Sequence, residues 1–276
     1  MRQPLESESN TTRPSALPTA SVSRFFFALS LFGLAILGLI HSDFAPGLEP
    51  VPESMPARLA LAYLSDVVYL ACGAGLLWQR TAVLAARVLF VFFLLWLVLL
   101  RVPWMFVSFQ IGTWWPAGSA AVMAGTAWIL YSSLANDQDG RFGFVTGDKG
   151  VLIARILFGL GLVPFGLAHF LYLEATAPLV PAWLLFPVFW AYFTGAAFIA
   201  AGLAIAFNVF ARLAAALITI QIACLTVFVW VPRIIAGNMS AFQWNEFVVS
   251  IFLIAAAWVI ADSYRGMPLL GADKIS

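Results

Sequence analysis

Histidine occurs twice in these 276 residues, and both copies close the same short pattern. His41 ends Gly38-Leu39-Ile40-His41, and His169 ends Gly166-Leu167-Ala168-His169 at a distance of 128 residues. An imidazole there can titrate near neutral pH, ligate a metal or haem, or hydrogen-bond a quinone carbonyl. Only Asp43, Glu174 and Glu246 stand near as further ligands, and no haem spacing motif occurs, so no metal site is expected. A satisfied interfacial histidine is the simpler alternative, since duplication would copy a structural residue as readily as a catalytic one.

Asp66 is the next group with chemistry. It follows Arg58 by eight residues, which on a helix places it about 12 Å further along, near mid-membrane. An ionisable group at that depth is either functional or held as packing glue by a hydroxyl such as Ser65 or Tyr63. Arg101 and Arg233 each sit beside a Val-Pro pair at the end of an apolar run. They either snorkel to headgroups or, with His41, His169, Trp230 and Asn245, line a vestibule for an anion or a quinone headgroup. Glu246 follows Trp244-Asn245 and could balance Arg233. The eight candidates are therefore His41, Asp66, Arg101, His169, Trp230, Arg233, Asn245 and Glu246.

The elements that must carry these groups are membrane helices. A chain that is 63% hydrophobic and 10% charged is too apolar for a water-soluble globule. Apolar runs cover Phe25–Ile40, Arg58–Trp78, Ala82–Leu100, Trp115–Leu134, Val151–Tyr172, Ala182–Phe207, Val209–Val231 and Phe242–Ile260. Each approaches the roughly 20 residues needed to cross a bilayer as a helix. The expected fold is an all-α integral membrane protein of eight transmembrane helices, with the lipid bilayer as its partner. A net charge of +1 without a basic block leaves no footprint for nucleic acid. The two cysteines, Cys72 and Cys224, lie in apolar runs and read as buried thiols, with no CxxC pair available.

With the N-terminus inside, eleven Lys and Arg fall on the inner side, and only Arg58, Arg101 and Arg233 fall outside. The positive-inside rule then puts both termini in the cytoplasm of a plasma (inner) membrane protein. Seven tryptophans (104, 114, 115, 183, 190, 230 and 244) collect toward the outer boundary and read chiefly as an interfacial belt.

The echo of the histidines extends along the chain. At an offset of 128, Gly33 and Gly38 meet Gly161 and Gly166; at 129, Tyr63, Gly73 and Leu84-Ala85-Ala86 meet Tyr192, Gly202 and Leu213-Ala214-Ala215. Val102-Pro103 meets Val231-Pro232, and at 130 Trp114 and Ala127-Trp128 meet Trp244 and Ala257-Trp258. Two four-helix units of even crossing number re-enter from the same side, so parallel repeats are expected rather than inverted ones. The organisation is then a disordered cytoplasmic tail (1–24), a first unit (25–135), a cytoplasmic linker (136–150), a second unit (151–264) and a cytoplasmic tail (265–276). Pro164, five residues before His169, should distort the fifth helix in one copy only.

The unit resembles the DoxX-like superfamily. The resemblance rests on a glycine-spaced first helix ending in His, a Pro in the loop that follows, and a second helix reading Thr194-Gly195 then Gly202-Leu203. An Arg and Ala-Ala opening to the third helix and the Trp244-Asn245-Glu246 start of the fourth complete it. It covers residues 25–134 and 151–264 and is clearer in the second half. It implies kinship with the membrane subunit of a thiosulfate:quinone oxidoreductase and with proteins of thiol or oxidative-stress handling. Such units often carry an acidic residue in the second helix, where this chain has Tyr69 and Phe198.

Three functions follow as expectations. One is a quinone-linked oxidoreductase subunit acting on a small sulfur or thiol substrate at the outer face, with quinone as cofactor and a redox partner subunit. Another is a small-solute carrier or channel using Asp66, and the third is a non-catalytic membrane scaffold or assembly protein.

Overall fold

The computed structural model describes residues 20–44, 51, 55–107, 109–135, 143–237 and 239–270. Most of the 1–24 tail, part of the 136–150 linker and the last six residues lie outside that description. Among the described residues there are eight long helices: α1 (Ala20–His41), α2 (Arg58–Leu77), α3 (Gln79–Leu95), α4 (Ile111–Leu134), α5 (Asp148–Leu171), α6 (Pro187–Ala206), α7 (Ala211–Leu225) and α8 (Ala241–Ser263).

Both α3 and α7 continue past their α-helical part. A π-helical stretch, Trp96–Arg101, extends α3 into Val102–Val107, and its counterpart Thr226–Trp230 extends α7 into Val231–Ala236. Pro103 and Pro232 follow these stretches and supply the cause, because a proline cannot donate to the carbonyl one turn back and the ladder slips by a residue. The two π stretches begin 130 residues apart, the offset at which Trp114 meets Trp244.

Seven of the helical spans are long and apolar enough to cross a membrane. The remaining one, α4, is diluted by Gly, Ser, Thr and Trp, and every residue from Ala117 to Tyr131 is buried. The two facts have one cause. A helix sheathed in protein needs small side chains for close approach rather than an apolar face for lipid. The other helices turn large apolar side chains outward, among them Leu84, Leu99, Phe189, Phe193, Leu217 and Ile220, as a bilayer-embedded surface requires.

Each helix packs on its neighbours in the chain, α8 closes the ring onto α1, and α4 meets α8 in the middle. Glycines set the tightest crossings. A Cβ at Gly161 would fall 2.7 Å from the Gly118 carbonyl oxygen of α4, and one at Gly159 would fall 2.5 Å from the Gly202 oxygen of α6. Helix α5 runs unbroken through Pro164, whose ring packs beside Gly118. The helix thus carries Pro164 as a packing surface, and no break separates it from His169.

At one end of the bundle α8 is clamped by basic residues of α5 and α7. Arg155 binds Ser263 through Nε at 3.1 Å and lies 3.9 Å from the Tyr264 ring centre, while Arg212 donates to the Met267 carbonyl. Burial pushes the Tyr264 phenol up to about 12, against the opposing pull of Arg155.

Candidate functional site

Alternating helix direction brings the C-terminal ends of α1, α3, α5 and α7 and the N-terminal ends of α2, α4, α6 and α8 to the end of the bundle opposite that clamp. Arg58 pairs there with Asp43 at 2.5 Å, and Arg233 Nη2 donates to the Pro178 carbonyl at 3.3 Å. Most of the sequence candidates lie in this region.

Its construction starts at Gly38. Helix α1 ends with His41 as its last residue; Ser42 turns into the left-handed region (φ 53°), and the Asp43 N–H returns to the Gly38 carbonyl at 3.3 Å. This is a Schellman closure carried by serine instead of glycine. The chain then leaves at an angle that Arg58 holds: it pairs with Asp43, donates to the Val51 carbonyl and lies 5.7 Å from the Phe44 ring centre. Tyr63 adds a hydrogen bond to Ser42 at 3.1 Å.

The α-carbon of Gly38 supports a second contact. Asp66 of α2 is only 4% exposed, and a Cβ at Gly38 would fall 2.1 Å from its Oδ1. The carboxyl therefore rests in the notch the glycine leaves. Asp66 Oδ2 and the neighbouring Ser65 Oγ are buried without a hydrogen-bond partner, so Ser65 is not the hydroxyl that holds the acid.

On its other side Gly38 borders a cleft of about 240 Å³ between α1 and α8. Leu37, Phe44 and Phe242 supply apolar wall, and His41, Asp43 and Asn245 supply polar groups. His41 is exposed, whereas Asn245 is 3% exposed. The adjacent Glu246 carboxyl feels the Asn245 amide, yet no acceptor meets Nδ2 in hydrogen-bonding geometry. A buried amide donor without an acceptor costs roughly 1–3 kcal/mol, which an acceptor entering the cleft would offset.

The remaining candidates lie elsewhere. His169 is half-buried within α5; its Nδ1–H donates to the Phe165 carbonyl at 2.8 Å, and its ring lies 5.5 Å from that of Phe198. The two histidines do not share the α1–α8 cleft. Arg101 is buried in the π-helical stretch of α3. Arg233 donates to the Val229 and Pro178 carbonyls and does not pair with Glu246. Trp230 is buried, with Nε1 bound to Ser250 Oγ at 3.1 Å, and Ser250 in turn donates to the Glu246 carbonyl. It is therefore an interhelical tie and not a belt residue, unlike the exposed Trp183. The side chain of Trp104 lies outside the description. Cys72 is buried as expected, but Cys224 is exposed on α7.

Asp43, Phe44 and Phe242 were not singled out as cleft residues from sequence. The signal available was the opposite charge of Asp43 and Arg58 across one loop. Among the described residues no three His, Cys, Asp or Glu side chains gather as a metal-binding group.

Residues 150–231, which carry α5, α6 and α7 up to the π-helical stretch, match the DoxX family model. No curated protein and no solved structure matches the chain. That stretch is therefore similar to the DoxX family, within a chain whose seven long apolar helical spans make it a multi-pass membrane protein.

Proposed function

We propose that this DoxX-like protein is the membrane subunit of a quinone-linked oxidoreductase, and that the α1–α8 cleft receives the quinone headgroup. The observation that carries the reading is the buried, acceptor-less Asn245 amide facing a small cleft with aromatic walls and His41 at its mouth. The residues fit such a ligand. Ligand clefts for larger molecules run to about 300 Å³ and more, so about 240 Å³ suits a single ring with its tail left in lipid. Asn245 Nδ2 and His41 are donors for ring carbonyls, and Phe44 and Phe242 offer apolar surface to the ring.

A quinone held there accepts two electrons and two protons. The matching donor chemistry is a small sulfur compound; two thiols joining as a disulfide release that number of each. The chain has no CxxC pair of its own, so the thiol oxidation belongs to a partner subunit or a substrate bound at the same face. The buried Asp66 carboxyl, one glycine away from the cleft, is the group placed to hold a proton.

The same reading takes α4 as an eighth crossing and the chain as two parallel four-helix repeats. The matched π-helical stretches and the offsets near 129 support it. With the clamp end rich in Lys and Arg, both termini are cytoplasmic and the cleft opens on the outer face of a plasma membrane.

A carrier function finds support in the buried, unpartnered Asp66 Oδ2 alone. One experiment separates the two. Purified protein in lipid nanodiscs is titrated with decylubiquinone, and saturable binding that weakens in His41→Gln supports the headgroup reading. No binding, together with solute flux in liposomes that Asp66→Asn abolishes, would replace it with the carrier.

A further inference from the structure

We infer that the chain has one headgroup position and not two, and that the residue capping each α-helical pair, Asn245 in one place and Trp115 in the other, decides which is open. The inference rests on the quinone reading for the nature of the ligand; the inequivalence of the two positions comes from packing.

The two positions correspond by offset: Gly38 with Gly166 at 128, Asp66 with Gly195 at 129, and Asn245 with Trp115 at 130. Around the first, Asp66 stands between α1 and α2, and its carboxyl occupies the notch at Gly38. Around the second, glycine faces glycine. A Cβ on Gly166 would lie 2.5 Å from the Gly195 carbonyl oxygen, and one on Gly195 would lie 2.9 Å from the Gly166 oxygen. Backbone rests on backbone there, with Ile199 and His169 side-chain carbons packed beside the crossing.

The capping helices differ in the same sense. Helix α8 lays Asn245 on the cleft, leaving room and a donor. Helix α4 lays Trp115 against Phe165, ring centres 6.2 Å apart and nearly edge-on, while Phe165 uses its carbonyl to hold the His169 imidazole. An indole thus takes the volume that the small amide leaves free, and the second histidine is already satisfied by its own helix. Trp115 Nε1 is itself a buried donor without a partner, so a donor is present at both positions, and it is the cleft that sets the first apart for a planar ring bearing a carbonyl acceptor.

The test is a binding stoichiometry on the full chain in lipid nanodiscs, read by equilibrium titration with decylubiquinone and by native mass spectrometry. Wild type is expected to bind one equivalent. Asn245→Trp should lose binding, and Asn245→Ala, which keeps the space and removes the donor, should weaken it about tenfold, as expected for one hydrogen bond. His169→Gln should bind as wild type does. Thermal unfolding of each variant separates lost binding from lost fold, and the alanine variant serves if the tryptophan variant does not fold. Two equivalents on wild type would overturn the inference while leaving the quinone reading intact. Full affinity in Asn245→Ala, or binding that His169→Gln abolishes, would overturn the inference together with the placing of the headgroup in the α1–α8 cleft. Absence of binding to wild type would overturn the quinone reading and the inference with it.

Discussion

The Asp66 carboxyl is seated on Gly38, with Oδ1 2.1 Å from where a side-chain carbon on that glycine would lie. One residue without a side chain thus does three things: it admits a buried acid between α1 and α2, gives its carbonyl to the turn at Asp43, and borders the α1–α8 cleft.

Gly38→Ala should therefore destabilise the protein by about 1–3 kcal/mol, because the new methyl overlaps a carboxyl group held on a packed helix. The second mutation Asp66→Ala should recover part of that loss. Thermal unfolding of the two single variants and the double variant closes the cycle, and strict additivity would show that the contact is absent.

Glycines at helix crossings should be far less tolerant than glycines at open positions. A Cβ on Gly159 meets the Gly202 backbone oxygen at 2.5 Å, whereas one on Gly143 meets nothing within 4 Å. Gly159→Ala is expected to cost about 1–3 kcal/mol and Gly143→Ala to stay within about 0.5 kcal/mol. Denaturation midpoints in the same detergent would decide it, and equal midpoints would contradict the crossing.

Arg58→Ala should loosen the rim of the cleft without unfolding the bundle. The Asp43 pair is partly exposed, and such pairs contribute roughly 0.2–1 kcal/mol. The loss of the contacts to the Val51 carbonyl and the Phe44 ring should instead appear locally. Hydrogen exchange at residues 42–44 is expected to accelerate while the core helices keep wild-type protection; unchanged exchange there would refute the role.

Trp230→Phe keeps an aromatic ring, although a smaller one, and removes the indole donor to Ser250. The expected cost is about 1 kcal/mol, and it should largely vanish in a Ser250→Ala background. A full cost in that background would mean that the tie between α7 and α8 is packing alone.

Tyr264 gives a pH dependence at the opposite end. Burial pushes its pKa up to about 12 from the ordinary phenol value of 10.0, so the folded chain keeps a proton that the unfolded chain gives up. Stability is unaffected below about pH 10 and falls between about pH 10 and 12, by roughly 2–3 kcal/mol at the upper limit. Tyr264→Phe should remove that alkaline component; an identical pH profile in the variant would sink the assignment.

Residence in a membrane followed from composition alone, and the helices followed from the lengths of the apolar runs. The structure moved most of their ends by a few residues, and it extended the third and seventh through π-helical turns ahead of Pro103 and Pro232. Clustering of His41, Arg101, His169, Arg233 and Asn245 toward one end was also legible, because helix direction alternates along the chain. Their partners were not. A membrane helix is apolar on nearly every face, so periodicity does not reveal which face meets protein. The pairing of Asp66 with Gly38, the edge-on Trp115 and the placing of Asn245 in a cleft formed by the first and last helices depend on helix rotation and crossing. Those depend on close approaches at glycines, Gly73 on the Ala28 carbonyl and Gly33 beside Val248 around α1, and Gly118, Gly161, Gly166 and Gly195 around α5. The amino-acid sequence by itself determined a helical membrane protein. Only tertiary packing decided that Gly38 has a buried acid on one side and a cleft on the other, while Gly166 meets the Gly195 backbone.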